Sequence, residues 1–364
     1  MKTIKTGNTG RLIAILILAI VIVLVVGVAV SGWSAPPEEE NKSPEPDKNE
    51  SESQDKDGND AEATVPEEKI PEYINYLTGL ETDIDKYTKK PFAFITSSIS
   101  PLYGIASADI VIEIPCEGSE TRFLVYNSSV EELGKLGALL PTRDYISALT
   151  CAFGGILCAD GNDDIVDYHT LPSTLHLDIS KFNDKYYTEN AKYIYSSGKL
   201  ITELAKEEEI DTAIVKRPIL PFNFADFGEQ ISGITKAESI NISYGNKSTL
   251  NYDGQSGLYY LSKNETEKTD MLTGEKIGFK NVFILFADTT TYEKSTGVEV
   301  VTDTTASGAG YYATNGKLTE IRWHTNEAGE LVFETLGGER LTVNRGNSYI
   351  GFYKSSCSEG VTFN

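Results

Sequence analysis

The chain has 364 residues and a formal net charge of −22, from 54 acidic and 32 basic side chains. Such an acidic chain repels phosphate backbones and anionic lipid headgroups, which argues against nucleic acid and acidic membrane surfaces as partners. The length allows one large domain or two of medium size.

Residues 1–32 predict a membrane anchor. The basic stretch "MKTIKTGNTGR" contains no acidic residue and precedes an uninterrupted apolar run at 12–30. At about 1.5 Å per residue this run can cross a hydrocarbon core of roughly 30 Å. By the positive-inside rule the basic flank stays in the cytoplasm, so the rest of the chain is expected outside the cell.

The alternative for the same segment is a cleaved signal peptide and a secreted product. The apolar run is longer than the roughly 7–15 residues of a signal-peptide core. No cysteine follows the run, so it is not a lipoprotein signal. These features favour an uncleaved, single-pass anchor.

Residues 33–69 are predicted to be a disordered acidic tether. From residue 36 to 69 the sequence lacks aromatic side chains and is dense in Glu, Asp, Ser and Pro. Such a segment buries too little apolar surface to offset its ordering entropy. We expect it to hold the following domain away from the membrane.

Residues 70–230 mix strand and helix patterns, which predicts an α+β N-terminal domain. Apolar runs predict strands within 91–98 and 108–127. Ser129 and Glu132 have the spacing of a capping box. Amphipathic periodicity predicts three helices, near residues 130–137, 142–153 and 197–208.

Residues 231–364 predict a β-rich, mostly antiparallel C-terminal domain. Short alternating segments are broken by Gly, Asn and Asp, as in strands joined by turns. Asn315 and Gly316 predict a tight hairpin turn, because both residues readily adopt positive φ. The fold class expected for the whole ectodomain is α+β, with a boundary near residue 231.

The four cysteines leave two interpretations open. A disulfide is possible outside the cell, and small buried thiols are equally compatible with the sequence. The chain has no CxxC motif and no Cys/His cluster with zinc spacing, so no metal site and no cofactor are expected. The cysteines are Cys116, Cys151, Cys158 and Cys357.

Several short sequence motifs, and their order along the chain, resemble those of the YerB-like family of Gram-positive lipoproteins of unknown function. "YLTGL" at 76–80 is similar to the family's N-P-L-T-G-L phrase. "ADIVIEIPCEGSETRF" at 108–123 follows its A-D-I-V-Y-E-x-P-x-E-G-G-x-T-R-F pattern. "LGALLPTRDY" at 136–145 resembles I-G-P-V-R-S-A-R-P-Y more loosely. The resemblance extends to "NRGNSYIGFY" and implies an architecture and an extracytoplasmic location, without a reaction.

The chain departs from the family pattern at two histidine phrases. Ala152 to Ile156 stand where the family carries H-A-G-G-S, and Ala191 to Tyr193 where it carries P-H-N. Leu140 replaces one arginine of the R-S-A-R phrase. Any acid, base or ligand role of those histidines is therefore absent here. The chain's own histidines, His169, His176 and His324, have no recognisable partner in the sequence.

The candidate site comprises Glu113, Glu117, Arg122 and Arg143. In a ligand cleft, the two carboxylates would act as acid and base, and the two arginines would bind a carboxylate or phosphate. In the structural alternative, Glu113 and Arg122 form a buried ion pair between the two strands of the corner. No nucleophile motif accompanies these residues.

Two functions are compatible with these observations. The first is a non-catalytic, membrane-tethered module that binds an envelope protein or cell-wall glycan, for which the many tyrosines offer contact surface. The second is an envelope hydrolase that cleaves a glycan or phosphodiester with Glu113 or Glu117. The missing family histidines and the absence of a nucleophile motif favour binding.

The predicted topology can be tested with protease on intact, wall-stripped cells. Residues 33–364 should be removed by the external protease, because only the basic flank is expected in the cytoplasm. Immunoblotting for the two ends of the chain reads out the result. Survival of the ectodomain in intact cells, with digestion after lysis, would contradict the topology.

Overall fold

The computed structural model describes residues 70–99, 101–161, 175–179, 187–189, 193–294 and 297–364. All of them belong to one compact unit, residues 66–364. Within these ranges, no helix is both long and apolar enough to cross a membrane. The predicted anchor at 12–30 and tether at 33–69 lie outside the described residues and stay predictions.

Helices are short in the described part of the chain. Three are α-helical: α1 (Ile84–Thr88), α2 (Asp144–Ala152) and α3 (Gly198–Glu207). Three are 3-10 helices: Glu117–Ser119, Val130–Glu132 and Ser355–Gly360.

Strands dominate the rest of the described chain. Those before residue 200 are β1 (Phe92–Ser97), β2 (Ile110–Pro115), β3 (Thr121–Asn127), β4 (Leu136–Leu139), β5 (Ile156–Ala159), β6 (Leu175–Asp178), β7 (Tyr187–Glu189) and β8 (Tyr193–Ser196). Those from residue 223 to 287 are β9 (Asn223–Phe224), β10 (Thr235–Lys236), β11 (Ser239–Ile242), β12 (Ser248–Asp253), β13 (Leu258–Lys263), β14 (Thr266–Glu267), β15 (Gly278–Phe279) and β16 (Asn281–Ala287). The remaining strands are β17 (Thr289–Lys294), β18 (Gly297–Thr302), β19 (Ser307–Thr314), β20 (Lys317–Thr325), β21 (Leu331–Thr335), β22 (Thr342–Val343), β23 (Ser348–Lys354) and β24 (Val361–Phe363).

A 14-stranded mixed sheet forms the centre of the structure. Its main path runs β10-β20-β19-β16-β23-β2-β3-β1-β4-β8-β7, with β5, β6 and β21 attached to this path. β23 lies between β16 and β2 and pairs in parallel with both. The sheet therefore contains strands from both sides of the predicted boundary near residue 231, which itself stays a prediction.

A six-stranded antiparallel sheet and two strand pairs complete the described β structure. The six-stranded sheet has the order β14-β13-β12-β11-β24, and β15 pairs with β13. β17 and β18 form a separate hairpin, and β22 pairs in parallel with β9.

The large sheet is buried on both faces, which explains why its central strands are mostly apolar. β2 and β16 are buried along their full length. Alternate residues point to two different cores. Val111 and Val125 pack with the six-stranded sheet and α3, whereas Ile112 and Leu124 pack with α2.

The second and third predicted helices are confirmed. α2 ends before Gly154, whose φ of 67° gives the left-handed conformation typical of a helix C-terminus. The Ser197 hydroxyl caps α3 by accepting a hydrogen bond from the Leu200 amide at 3.3 Å. The apolar stripe of α3 is buried, as its amphipathic pattern predicts.

The helix predicted at 130–137 is wrong. Only Val130–Glu132 forms a 3-10 turn, and Ser129 makes no side-chain cap. Residues 136–139 instead form β4, which pairs with β1 and β8. Gly137 has a φ of 114°, which a right-handed helix does not allow. Strand pairing in the large sheet overrides the weak helix preference of a segment that contains two glycines.

The predicted α+β fold class is confirmed, with mixed pairing in the first half and mostly antiparallel strands in the second. The predicted turn is also present, because Thr314 pairs with Lys317 across a two-residue loop. Asn315 and Gly316 have φ values of 51° and 73°, as a hairpin of this length requires.

The packing of α3 can be tested with Gly198→Ala. An added Cβ would lie 1.5 Å from the Val130 carbonyl oxygen, so α3 must move away from the 130–132 turn. We expect urea unfolding of residues 66–364 to show a loss of about 1–3 kcal/mol, as for other overpacked sites. Gly254→Ala is the control, since the nearest atom to its added Cβ is 3.9 Å away. Equal stabilities for the two variants would contradict the described contact.

Candidate functional site

The corner between β2 and β3 carries three of the four candidate residues, and its register decides where they point. Glu113 pairs with Phe123, whereas Arg122 pairs with Ile114. Residues directly opposite in an antiparallel pair project to the same face. Glu113 and Arg122 therefore lie on opposite faces of the sheet, and the predicted ion pair between them is wrong.

Glu113 instead forms an ion pair with Lys263 of the six-stranded sheet. Neither side chain has any exposed surface. Both carboxylate oxygens accept further hydrogen bonds, Oε1 from the Thr121 hydroxyl at 2.5 Å and Oε2 from the Tyr349 hydroxyl at 2.5 Å. We refer to Glu113, Lys263, Thr121, Tyr349 and Ser248 as the Glu113 cluster.

The Glu113 cluster satisfies its charges within the protein. The Lys263 ammonium also donates to the Ser248 hydroxyl at 2.7 Å, and the Tyr349 hydroxyl lies 2.6 Å from that of Tyr353. Burial, and then the negative charge of Glu113, raise the pKa of Tyr349 well above its ordinary value. The phenol therefore stays protonated and can donate to the carboxylate. This network joins the two sheets and offers no atom to an external ligand.

Glu117 and Arg143 form the second charged group. The guanidinium binds the carboxylate through two hydrogen bonds, Nη1 to Oε1 at 2.9 Å and Nη2 to Oε2 at 3.1 Å. Arg143 Nη1 also lies 3.3 Å from Oε1 of Glu299, and the Val300 amide donates to Glu117 at 3.0 Å. We call Glu117, Arg143 and Glu299 the Glu117 cluster; it attaches the β17–β18 hairpin to the corner.

The Glu117 carboxylate is held in its ionised form. Partial burial raises its pKa, but the Val300 amide and the charges of Arg143 and Arg122 outweigh this and lower the pKa overall. An acid that is ionised at neutral pH is a poor proton donor for glycoside cleavage. Stability linked to this group is present at neutral pH and is lost as the pH falls through the lowered pKa.

Arg122 lies on the same side of the corner as the Glu117 cluster. Its Nη1 donates to the Pro141 carbonyl oxygen at 2.8 Å, which ties β3 to the segment before α2. Its positive charge also acts on the thiol of Cys116, although burial dominates there and raises the pKa of Cys116 to about 11. The structure thus brings Glu117, Arg122 and Arg143 together and separates Glu113 from them.

The other sequence features have simpler environments. His324 Nδ1 lies 3.9 Å from Glu334 on the neighbouring strand, His176 lies on β6, and His169 falls outside the described residues. All four cysteines lie among the described residues, and none of them forms a disulfide bond there. Among the residues with described positions, no group of three His, Cys, Asp or Glu side chains could hold a metal ion.

Sequence patterns alone did not identify Lys263 as the partner of Glu113, although the sequence contained one signal for it. β13 alternates between half-buried and buried positions, and Lys263 is in phase with the buried Tyr259 and Leu261. A lysine at an inward-facing position requires a buried anion. The identity of that anion could not be read from the sequence, because Glu113 lies 150 residues away.

Comparisons with known proteins agree with this architecture. Family models described as "Protein of unknown function (DUF3048)" match residues 77–211 with the N-terminal domain and 239–350 with the C-terminal domain. "Putative lipoprotein YerB" of Bacillus subtilis (strain 168) is 24% identical over 265 residues, covering 68% of this chain and 76% of that protein.

A solved structure is also similar in fold. The crystal structure of YerB protein from Bacillus subtilis matches with a TM-score of 0.68 and 21% sequence identity. The match covers 79% of this chain and 98% of the YerB chain. At this level of identity the likeness establishes the fold alone.

The contribution of the Glu113 cluster to the free energy of unfolding can be tested with two variants. Lys263→Met leaves the Glu113 carboxylate buried without its cation, which typically costs about 3–5 kcal/mol. The double variant Glu113→Gln, Lys263→Met removes both charges, so we expect it to regain most of that loss. Urea unfolding of residues 66–364 measures both.

The matched control is Lys247→Met. Lys247 forms an exposed ion pair with Glu265 at 3.5 Å, and such pairs contribute less than about 1 kcal/mol. If Lys263→Met and Lys247→Met lose similar amounts of stability, the Glu113 cluster does not hold the two sheets together.

Proposed function

We propose, on the premise that this chain belongs to the YerB-like family of unknown function, that it is a non-catalytic binding module of the cell envelope. Its ectodomain would be extracellular and would bind an envelope protein or a cell-wall glycan. Nucleic acid is not an expected partner, given the net charge of −22.

The proposed extracellular location rests on two observations, the name of the relative and the apolar run in this sequence. The Bacillus subtilis relative is named as a lipoprotein, a class attached to the outer face of the membrane. In this chain the apolar run at 12–30 would replace the lipid as the attachment. The acidic segment at 33–69 would then separate the folded unit from the membrane surface.

The observation that carries the binding role is the state of the two candidate carboxylates. Glu113 has no exposed surface and is paired with Lys263. Glu117 is bound by both terminal nitrogens of Arg143. A general acid needs a raised pKa and access to the bond that is cleaved. Neither residue meets both requirements, which supports binding over hydrolysis.

The β17–β18 hairpin is a suitable contact surface for such a partner. The Glu117 cluster fixes β18 through the Val300 amide and the Glu299 side chain. On β17, Tyr292 pairs with Glu299 across the hairpin and is 51% exposed. A tyrosine on a rigid strand provides contact area at low entropic cost, for proteins and sugars alike.

The alternative is an envelope hydrolase of a glycan or phosphodiester that uses Glu113 and Glu117. Glu117 is the only one of the two with exposed surface, at 27% of its side chain. To donate a proton it would first have to be protonated, which the positive charge of Arg143 opposes. A hydrolase of this kind therefore depends on Glu117.

Incubation with purified peptidoglycan distinguishes the two functions. We expect the ectodomain to sediment with peptidoglycan and to release no soluble fragments. The Glu117→Gln variant should likewise release none. Tyr292→Ala should reduce the sedimented fraction several-fold, as removal of an exposed aromatic contact does. Tyr260→Ala, which removes a partly buried tyrosine from the six-stranded sheet, is the control.

Two results would change the proposal. Soluble fragments that disappear with Glu117→Gln would establish the hydrolase instead. If the ectodomain neither sediments with peptidoglycan nor releases fragments from it, peptidoglycan is excluded as the partner. Cross-linking to envelope proteins in intact cells would then be the decisive measurement.

A further inference from the structure

A cavity of about 520 Å³ lies away from both charged clusters. One wall is formed by α2 and residues 214–218, and the other by the loops around residues 304–305 and 325–331. Its volume falls within the roughly 300–1,000 Å³ of small-molecule sites. None of the candidate residues predicted from the sequence lines this cavity, which we call the α2 cavity.

The charge of the α2 cavity is opposite to that of the chain. Among the described residues, Lys90, Lys216 and Arg217 line it, together with one carboxylate, that of Glu330. Lys90 forms an ion pair with Asp211 at 3.5 Å. The other two lining cations, Lys216 and Arg217, still exceed the one lining carboxylate, and in a protein with a net charge of −22 they form a local positive region. Such a region attracts anions into a cleft with apolar walls, where the surrounding low dielectric strengthens the attraction.

Arg217 is positioned without being neutralised. Its guanidinium stacks 3.9 Å from the centre of the Tyr87 ring and donates to the Tyr87 hydroxyl and carbonyl oxygens at 3.2 and 3.0 Å. These partners are uncharged, and no carboxylate of the described residues pairs with Arg217 or with the exposed Lys216. The cavity therefore presents fixed positive charge that the described protein does not balance.

The opposite wall provides acceptors. The Thr325 hydroxyl donates to the Thr304 carbonyl oxygen at 2.7 Å, and the Thr305 hydroxyl donates to Asp303 at 2.8 Å. Each hydroxyl has thus used its proton and keeps lone pairs for accepting. Glu330 accepts from Asn326 at 2.9 Å and likewise retains acceptor capacity. Ala148, Ala152 and Leu331 add apolar surface.

We propose that the α2 cavity binds a small hydroxylated molecule that carries a carboxylate or a phosphate, such as an acidic sugar. The anionic group would pair with Arg217 and Lys216, and the ligand's hydroxyls would donate to the threonines and Glu330. The apolar face of the ligand would pack on the alanines and Leu331. This site is additional to the proposed function, which assigns no ligand to the cavity.

Isothermal titration calorimetry of the full chain in detergent tests the proposal. The probes are glucuronate, glucose 6-phosphate, glucose, acetate and inorganic phosphate. We expect glucuronate or glucose 6-phosphate to bind at least about tenfold more tightly than glucose, because only they pair with the cations. Tighter binding than acetate or inorganic phosphate shows that the hydroxylated body is recognised as well as the charge.

Two variants connect the binding to the α2 cavity. Lys216→Glu reverses one exposed lining charge and should weaken binding by at least about tenfold. Ala328→Trp on an exposed loop should weaken it by filling the cavity. Lys354→Glu makes the same charge change on an exposed residue outside the lining and should alter the affinity by less than about twofold.

Three outcomes would overturn the proposal: no binding of either acidic sugar to the wild-type chain, equal affinity for glucose and the acidic sugars, or equal binding by wild type, Lys216→Glu and Ala328→Trp. None of them affects the sedimentation experiment, because Glu117 and Tyr292 do not line the cavity. Failure here and failure of the proposed envelope function are therefore distinguishable.

Discussion

The ion pair between Glu113 and Lys263 is the constraint on which the arrangement of the two sheets depends. Removing two charges from water is expensive, and their attraction repays it only when every other polar atom nearby is satisfied. Here Thr121, Ser248 and Tyr349 provide those hydrogen bonds, and they come from both sheets. Hydrophobic packing alone would allow the six-stranded sheet to slide on the large one, since apolar contacts have little directionality. The buried pair permits a single register, because any other leaves a charge stranded.

The same strand corner serves a second purpose on its other face. Glu113 pairs with Phe123 and projects to the same face, and Arg122, the residue next to Phe123, projects to the opposite face. Glu113 therefore lies in the core, while Arg122 lies beside the Glu117 cluster. There the ion pair of Glu117 with Arg143 fixes a separate hairpin through Glu299 and the Val300 amide. The charged residues of this corner, which indicated a ligand site in the sequence, thus mainly hold elements of the fold together. It places an exposed hairpin at the surface and leaves both carboxylates occupied.

The ligand-binding capacity of the fold lies elsewhere. The α2 cavity is formed where a segment of the first half, residues 214–218, meets loops of the second half. Among its cations, Arg217 is held against an uncharged partner, the ring and oxygen atoms of Tyr87. The acidic character of the rest of the chain makes this region electrostatically distinct. The acidic surface repels anionic polymers, whereas the α2 cavity as proposed accepts one small anion at a defined place.

The sequence by itself determined the local features: the α+β class, α2 and α3 with their glycine and serine boundaries, and the Asn315-Gly316 turn. These depend on periodicity, capping and backbone freedom, which act within a few residues. It also contained the phase of Lys263 on β13, a sign of an inward charge. Tertiary structure alone decided which anion Lys263 meets, because loop closure over 150 residues leaves no local trace. It likewise decided that residues 136–139 form a strand, since β1 and β8 supply the partners, and that Arg217 and Glu330 share one cavity. Contacts between distant segments depend on how sheets stack, and short-range sequence patterns do not specify that stacking.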